Sequence, residues 1–185
     1  MELIAGTDEH FWANRSSLLQ DYYLHDWCVP KHDDKVVFEL LVMEMASAGL
    51  NWEMILRRRE ALRHAFADYD LATLASWGEA QVDELMQNPA IIRNRLKIQS
   101  VIKNAQATLA LVPDYSGLAA YMWHFTDGEV VQHHPQSLAD TPTQDELSRR
   151  VSKEMKQRGF KFVGPVIVYN YLQACGIIDD RMTME

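Results

Sequence analysis

Glu44 is the residue whose chemistry is hardest to explain as packing. It sits in Val36-Val37-Phe38-Glu39-Leu40-Leu41-Val42-Met43-Glu44-Met45-Ala46, a run apolar at nearly every position. A helix apolar on all faces is one buried in a core. A carboxylate there must be paired, hydrogen-bonded or protonated. Glu39 lies five positions earlier, about 140° around the helix by its ~3.6-residue turn. It is expected to reach solvent where Glu44 does not. Two roles suit Glu44: a structural acid tying down a loop, or a carboxylate of perturbed pKa facing a pocket.

Aromatic residues flank that helix in sequence. Trp12, Tyr22, Tyr23 and Trp27 precede it and Trp52 follows. They suit core packing. They also suit a sandwich around a flat ligand, and a cationic ring would gain further from their faces. A second candidate lies downstream. Arg149, Arg150, Lys153, Lys156, Arg158 and Lys161 crowd residues 149–161 against a single Glu154. Gly159 and Gly164 there let backbone N–H groups approach a phosphate at a helix N-terminus. An ordinary helix-turn-helix with a solvated basic face reads equally well. His124, His133 and His134 have no companion ligands at metal-site spacing, which makes them surface or structural histidines. Arg57-Arg58-Arg59 reads as a solvated face, with one member able to touch DNA. Dinucleotide, phosphate-loop and serine-hydrolase motifs are absent.

Helices must position these groups. Asp33 or Asp34 caps the Glu44 helix, and Ala48-Gly49 ends it. A helix is expected from Trp52 to Phe66. Ser76-Trp77-Gly78-Glu79 has capping-box spacing and opens a helix to about Met86. Asn88-Pro89 breaks the chain before an amphipathic stretch from Ala90 to Leu111. Residues 126–142 read as a long loop with a doubtful strand at Glu129-Val130-Val131. Thr143-Gln144-Asp145-Glu146 is a second capping box, leading a helix to about Gln157. An apolar helix runs from Pro165 to Ala174, and Gly176 stops it.

Composition bounds the answer. The chain has 185 residues, 48% apolar and 24% charged, with 18 basic against 26 acidic side chains and a net charge of −8. That suits one globular domain with its own core. The net charge argues against wholesale, non-specific nucleic-acid binding but allows a local basic face. No apolar run is long enough for a transmembrane helix, and no signal peptide is visible. Cys28 and Cys175 lie far apart, so a reduced, cytoplasmic protein is expected.

Several blocks together resemble the DNA-3-methyladenine glycosylase I family. They are Asp26-Trp27-Cys28-Val29-Pro30, Phe38 through Glu44, Ala48-Gly49-Leu50-Asn51-Trp52, Ile91 through Ile98, Lys156 through Gly164, and Gln173-Ala174-Cys175-Gly176. The resemblance spans residues 12–180 in order. It implies an all-α, two-lobed helix-hairpin-helix glycosylase fold, one domain over 1–185 with the helix-hairpin-helix at about 144–176. It implies hydrolysis of the N-glycosidic bond of 3-methyladenine in double-stranded DNA, with neither a membrane nor an obligate protein partner. Glu44 then hydrogen-bonds the extruded base, Trp52 stacks on it, Tyr22 lines the pocket, and Trp12 and Trp27 add to it. Leu50 and Gly49 fall at the DNA wedge, where Ser47 replaces a frequent glutamine. Arg158, Gly159, Lys161 and Gly164 fall at the DNA-binding hairpin. No lysine falls at the nucleophile position of the bifunctional superfamily members, so no strand cleavage is expected.

Members of the family commonly join their ends through a zinc held by two Cys and two His. The matching positions here are His10, Tyr23, Arg181 and Glu185. Arginine is not a ligand. The expectation is therefore no metal and no cofactor, with Arg181 paired instead to Glu185 or a nearby acid. The alternative reading is a catalytically weak or idle relative that binds damaged or abasic DNA. A purely structural helical module is hard to reconcile with a buried Glu44.

Overall fold

Helix α2 (Asp34–Ser47) is the axis of the fold, in a computed structural model that describes residues 3, 4 and 7–182. Asp33 caps it, its carboxylate accepting from Val36 N at 3.0 Å. Asp34 instead accepts from Ala119 N at 2.7 Å and so ties in α8 (Leu118–Trp123). Every residue from Val37 to Ala46 is buried, as an all-round apolar helix requires. The helix ends at Ala48, and Gly49 follows with φ +76°, a left-handed turn that favours glycine.

Two groups of helices meet on α2. On one side lie α3 (Trp52–Leu56), α4 (Arg59–Ala65), α5 (Leu71–Ser76), α6 (Glu79–Leu85) and α7 (Arg95–Leu109). On the other lie α9 (Glu146–Gln157) and α10 (Pro165–Ala174), while α1 (Ser17–His25) packs on α3. Helix α2 packs against α3, α7, α8 and α10. The architecture is thus helical, as expected, with one parallel pair of two-residue strands, β1 (Val131–Gln132) and β2 (Ile178–Asp179). Among the described residues no helix is long and apolar enough to cross a membrane.

Several boundaries differ from the sequence reading, each for a local reason. The helix expected over Trp52–Phe66 is broken: α3 stops at Leu56 and α4 begins at Arg59. Arg58 leaves helical geometry between them, and its N–H closes a tight turn onto Ile55 O at 2.9 Å. Ser76 ends α5 rather than capping α6; Gly78 is the cap, its N–H donating to Gln81 Oε1 at 2.9 Å. Helix α7 starts five residues later than expected, because Asn94 captures Lys97 N at 3.1 Å. Asp145 and Ser148 form the reciprocal box that opens α9, leaving Thr143 outside it. The strand read at Glu129-Val130-Val131 forms at Val131–Gln132 instead, where pairing with Ile178–Asp179 far along the chain sets its bounds.

Gly176 fixes how the chain closes. Its φ is +72°, and a Cβ there would lie 2.3 Å from the carbonyl carbon of Val29. Cys28 N donates to Gln173 O and Lys31 N to Cys175 O, each at 3.0 Å. The segment after α1 is therefore sewn to the end of α10. Cys28 and Cys175 are both buried free thiols.

Glu39 corrects the expectation of a solvated acid. It is only 3% exposed, because α4 covers that side of α2. Arg59 and Arg63 both bind its carboxylate, Arg63 Nη2 at 2.8 Å. Arg59 Nη1 also donates to Asp26 at 2.6 Å, which Lys31 approaches from its other side at 3.1 Å. Arg59 is thus no solvated arginine, while Arg57 remains on the surface beside Glu53. Removing one partner of a buried ion pair strands the other charge and costs about 3–5 kcal/mol. Arg59→Ala is expected to lower the unfolding free energy by about 3 kcal/mol. Arg57→Ala is expected to leave the urea midpoint unchanged. Equilibrium urea denaturation of the two variants checks both.

Candidate active site

A cleft of about 560 Å³ opens beside the C-terminal half of α2, within the size range of small-ligand sites. Glu44 lies in its wall, with Tyr22 of α1, Trp52 of α3, and Trp12 and Trp27 from the flanking segments. The turn Ser47-Ala48-Gly49-Leu50 forms its rim. The structure thus gathers the five residues read as base-binding or catalytic around one space.

The electrostatics centre on Glu44. It is 5% exposed, and its carboxylate has neither an ion pair nor a hydrogen bond among the described residues. Burial alone pushes its pKa up to about 8. The Tyr22 hydroxyl is raised well above its ordinary value, first by burial and then by the Glu44 charge. Trp52 contributes an orphan donor: its Nε1 is buried and has no partner among the described residues. Buried polar groups normally find partners, so an acid and an N–H without them mark a place built for a polar ligand. The Tyr22 and Trp52 rings lie 5.4 Å apart at 53°, and Trp12 and Trp27 meet edge-on at 5.5 Å. A flat polar ring gains aromatic faces here, and a cation gains the acid.

The rim is held from behind. Lys97 is buried, and its ammonium donates to Ala46 O at 2.9 Å and Ala48 O at 2.7 Å. A cation there satisfies carbonyls left open at the end of α2. Burial lowers its pKa. Leu50 stands exposed beside the cleft at 40%. The sequence reading missed Lys97, although its spacing to Val101 placed it on the apolar face of α7. It also missed Ile167, Asn170 and Gln173, which line the far wall from α10 at three-residue spacing. Asp180 joins them there. It accepts from Tyr169 Oη at 2.7 Å and Gln173 Nε2 at 2.6 Å, and lies 2.6 Å from His133 Nδ1. No local signal in the sequence announces that contact.

Arg158, Gly159, Lys161 and Gly164 lie apart from the cleft, in the hairpin between α9 and α10. Asn104 of α7 clamps the hairpin, accepting from Lys161 N at 2.7 Å and donating to Lys161 O at 3.1 Å. Arg158 binds Asp114 and Glu154 and lies over the rings of Tyr115 and Tyr121. Gly159 takes φ +93° after α9. Gly164 caps α10 without a side-chain hydrogen bond to its N-terminus. The side chains of Arg149, Lys153, Lys156 and Lys161 are exposed and form no ion pair among the described residues.

Of the four positions matched to the family's zinc ligands, the three that are described do not fit a metal. Arg181 grips Asp179 with Nε at 2.9 Å and Nη2 at 2.6 Å. Burial raises the pKa of the Tyr23 hydroxyl, which accepts from Met182 N at 3.2 Å. The His10 side chain is largely exposed beside Glu9. Glu185, the acid first expected to pair with Arg181, lies outside the described residues.

A helical bundle with an aromatic cleft around a buried acid, beside a glycine-bounded hairpin, is the form of a helix-hairpin-helix base-excision protein. Residues 12–184 match the methyladenine glycosylase family, and the chain belongs to it. It is 37% identical over 176 residues to DNA-3-methyladenine glycosylase 1 of Escherichia coli (strain K12), covering 92% of this chain and 91% of that protein. It superposes on a crystal structure of 3-methyladenine DNA glycosylase I with a TM-score of 0.90 at 38% identity, covering 94% of this chain and 95% of the other. A variant of 3-methyladenine DNA glycosylase I solved in complex with 3-methyladenine also superposes with a TM-score of 0.90, at 31% identity and 95% coverage of both chains.

The raised pKa of Glu44 makes stability depend on pH. The folded protein holds the Glu44 proton more tightly than the unfolded chain does, so stability is full below the unfolded carboxylate value of about 4.3. It is lost as pH rises through about 8. Melting temperatures of wild type and Glu44→Gln across pH 5 to 9 are expected to diverge upward, the variant becoming the more stable. Parallel curves contradict the assignment.

Proposed function

We propose that this protein excises 3-methyladenine from DNA by hydrolysing its N-glycosidic bond. The observation that carries this reading is Glu44, a buried acid with no partner among the described residues, facing aromatic walls. Methylation at N3 makes adenine in DNA cationic. An extruded cation in the cleft gives Glu44 the counter-charge it lacks and holds it ionised. Neutral adenine offers no such gain, and this difference supplies selectivity. The orphan Trp52 N–H suits an acceptor on the ligand.

The chemistry asks little of the protein. The bond from C1′ to the base breaks, and its electron pair neutralises the ring. Water adds to C1′ and gives up a proton, leaving an abasic site. The charged base is already a good leaving group, so extruding and recognising the nucleotide is the main task. No lysine lines the cleft among the described residues, which supports hydrolysis without strand cleavage.

The hairpin supports the DNA partner. Lys161 and the open N-terminus of α10 suit a phosphate, with Arg158 bracing the turn and the exposed Arg149, Lys153 and Lys156 adding positive charge. Leu50 and Gly49 at the rim suit the wedge that enters the vacated stack. One hydrophobic cluster runs from α1 to β2, which supports reading 1–185 as a single catalytic unit.

Release of 3-methyladenine from methylated duplex under single-turnover conditions tests the reading. Wild type is expected to release the base, and Glu44→Gln to slow release about 100-fold, as for loss of a preorganised electrostatic group. Because ionised Glu44 is the binding form, kcat/KM is expected to rise with pH toward a plateau above about 8. No release, with abasic duplex still bound, would identify a damage-binding relative instead.

A further inference from the structure

Behind the cleft lies a second, smaller core that neither the catalytic reading nor the main cluster accounts for. It comprises Ile4, Phe11, Ala13 and Tyr23, with Trp12, Trp27 and Met182 packed on it. Tyr23 is its hub. Its ring meets Phe11 edge-on at 5.2 Å and Trp12 at 5.6 Å, and stacks on Trp27 at 5.3 Å. Its hydroxyl holds Met182 N. Phe11, Trp12, Trp27 and Met182 all line the cleft, whereas Tyr23 does not.

Both ends of the described chain converge on this ring. Asn14 organises the first: its Oδ1 accepts from Ile4 N at 3.1 Å, and its Nδ2 donates to Asp8 O at 2.7 Å. The fork of Arg181 on Asp179 sets the course of the second just before Met182. Tyr23 also follows Tyr22 directly, so α1 presents one tyrosine to the ligand space and the next to the wall behind it.

We infer that Tyr23 is a positioning residue: a metal-free aromatic clasp, centred on its ring, sets the spacing of Trp12 and Trp27 and thereby the affinity for the extruded base. The inference rests on the proposed function. Four pocket walls share one buried support that touches no substrate. Close packing transmits a change in that support to the walls. At the three described zinc-matched positions Arg181 is paired with Asp179, the Tyr23 hydroxyl with Met182 N, and His10 is exposed, so the clasp is built on ring contacts rather than a bridging ion. Removing the ring frees Trp12 and Trp27 to tilt into the ligand space. Removing only the hydroxyl loses the tie to Met182 and leaves the ring contacts in place.

The test is titration of free 3-methyladenine followed by tryptophan fluorescence, beside binding of a duplex with one abasic site. Tyr23→Ala is expected to weaken base binding about tenfold, and Tyr23→Phe less than threefold. Both are expected to bind the duplex within twofold of wild type, because Leu50 and the hairpin lie elsewhere. Wild type dialysed against EDTA is expected to bind the base unchanged. Should Tyr23→Ala not fold, Tyr23→Leu is judged by the same criteria. Base binding unmoved in the variant, base and duplex binding lost in equal proportion, or wild-type binding abolished by EDTA each overturn the inference alone. A wild type that releases no 3-methyladenine from methylated duplex overturns the proposed function and this inference with it.

Discussion

A carboxylate held out of water with no partner among the described residues is the constraint on which the structure turns. Desolvating an acid is unfavourable, and the usual remedies are a cation, donors or a proton. Glu44 has neither a cation nor a donor among the described residues, and burial pushes its pKa up to about 8, which favours the proton near neutral pH. The surrounding helices must hold it there against that penalty. The unbroken burial of α2 does so, since moving Glu44 toward solvent would expose the apolar side chains packed around it.

The contrast with Glu39 makes the point within one helix. Both acids are buried, five residues apart. Glu39 receives two arginines from α4, and the pair knits Asp26 and Lys31 into the same network. That network stabilises the segment carrying Trp27. Glu44 faces rings and an unpaired indole N–H instead. One acid is compensated and serves the fold. The other is left uncompensated, and that is what lets a ligand's charge matter.

Much of this was legible in the residues. The apolar run around Glu44 announced a buried helix, and Gly49, Gly164 and Gly176 marked turns that the structure uses. The aromatic residues near the helix could be named but not placed, because their meeting is set by contacts across the chain. Glu39 was misread for the same reason: helical periodicity gives its angle on α2 but not that α4 covers that face. Lys97 carried a signal, a lysine in register with an apolar stripe, whose partners were the distant carbonyls of Ala46 and Ala48. The pairing of β1 with β2 and the contact of His133 with Asp180 depend on long-range closure and left no local trace.

Glu44 stays protonated near neutral pH until a ligand charge or donor draws it into the ionised form. A carbon-13 NMR titration of the Glu44 side-chain carboxyl tests it most directly, in the free protein and with a duplex carrying an extruded cationic base analogue. A midpoint near 8 is expected in the free protein, with a marked fall once the cation is bound. A midpoint near the ordinary value of about 4.3 in the free protein would contradict it.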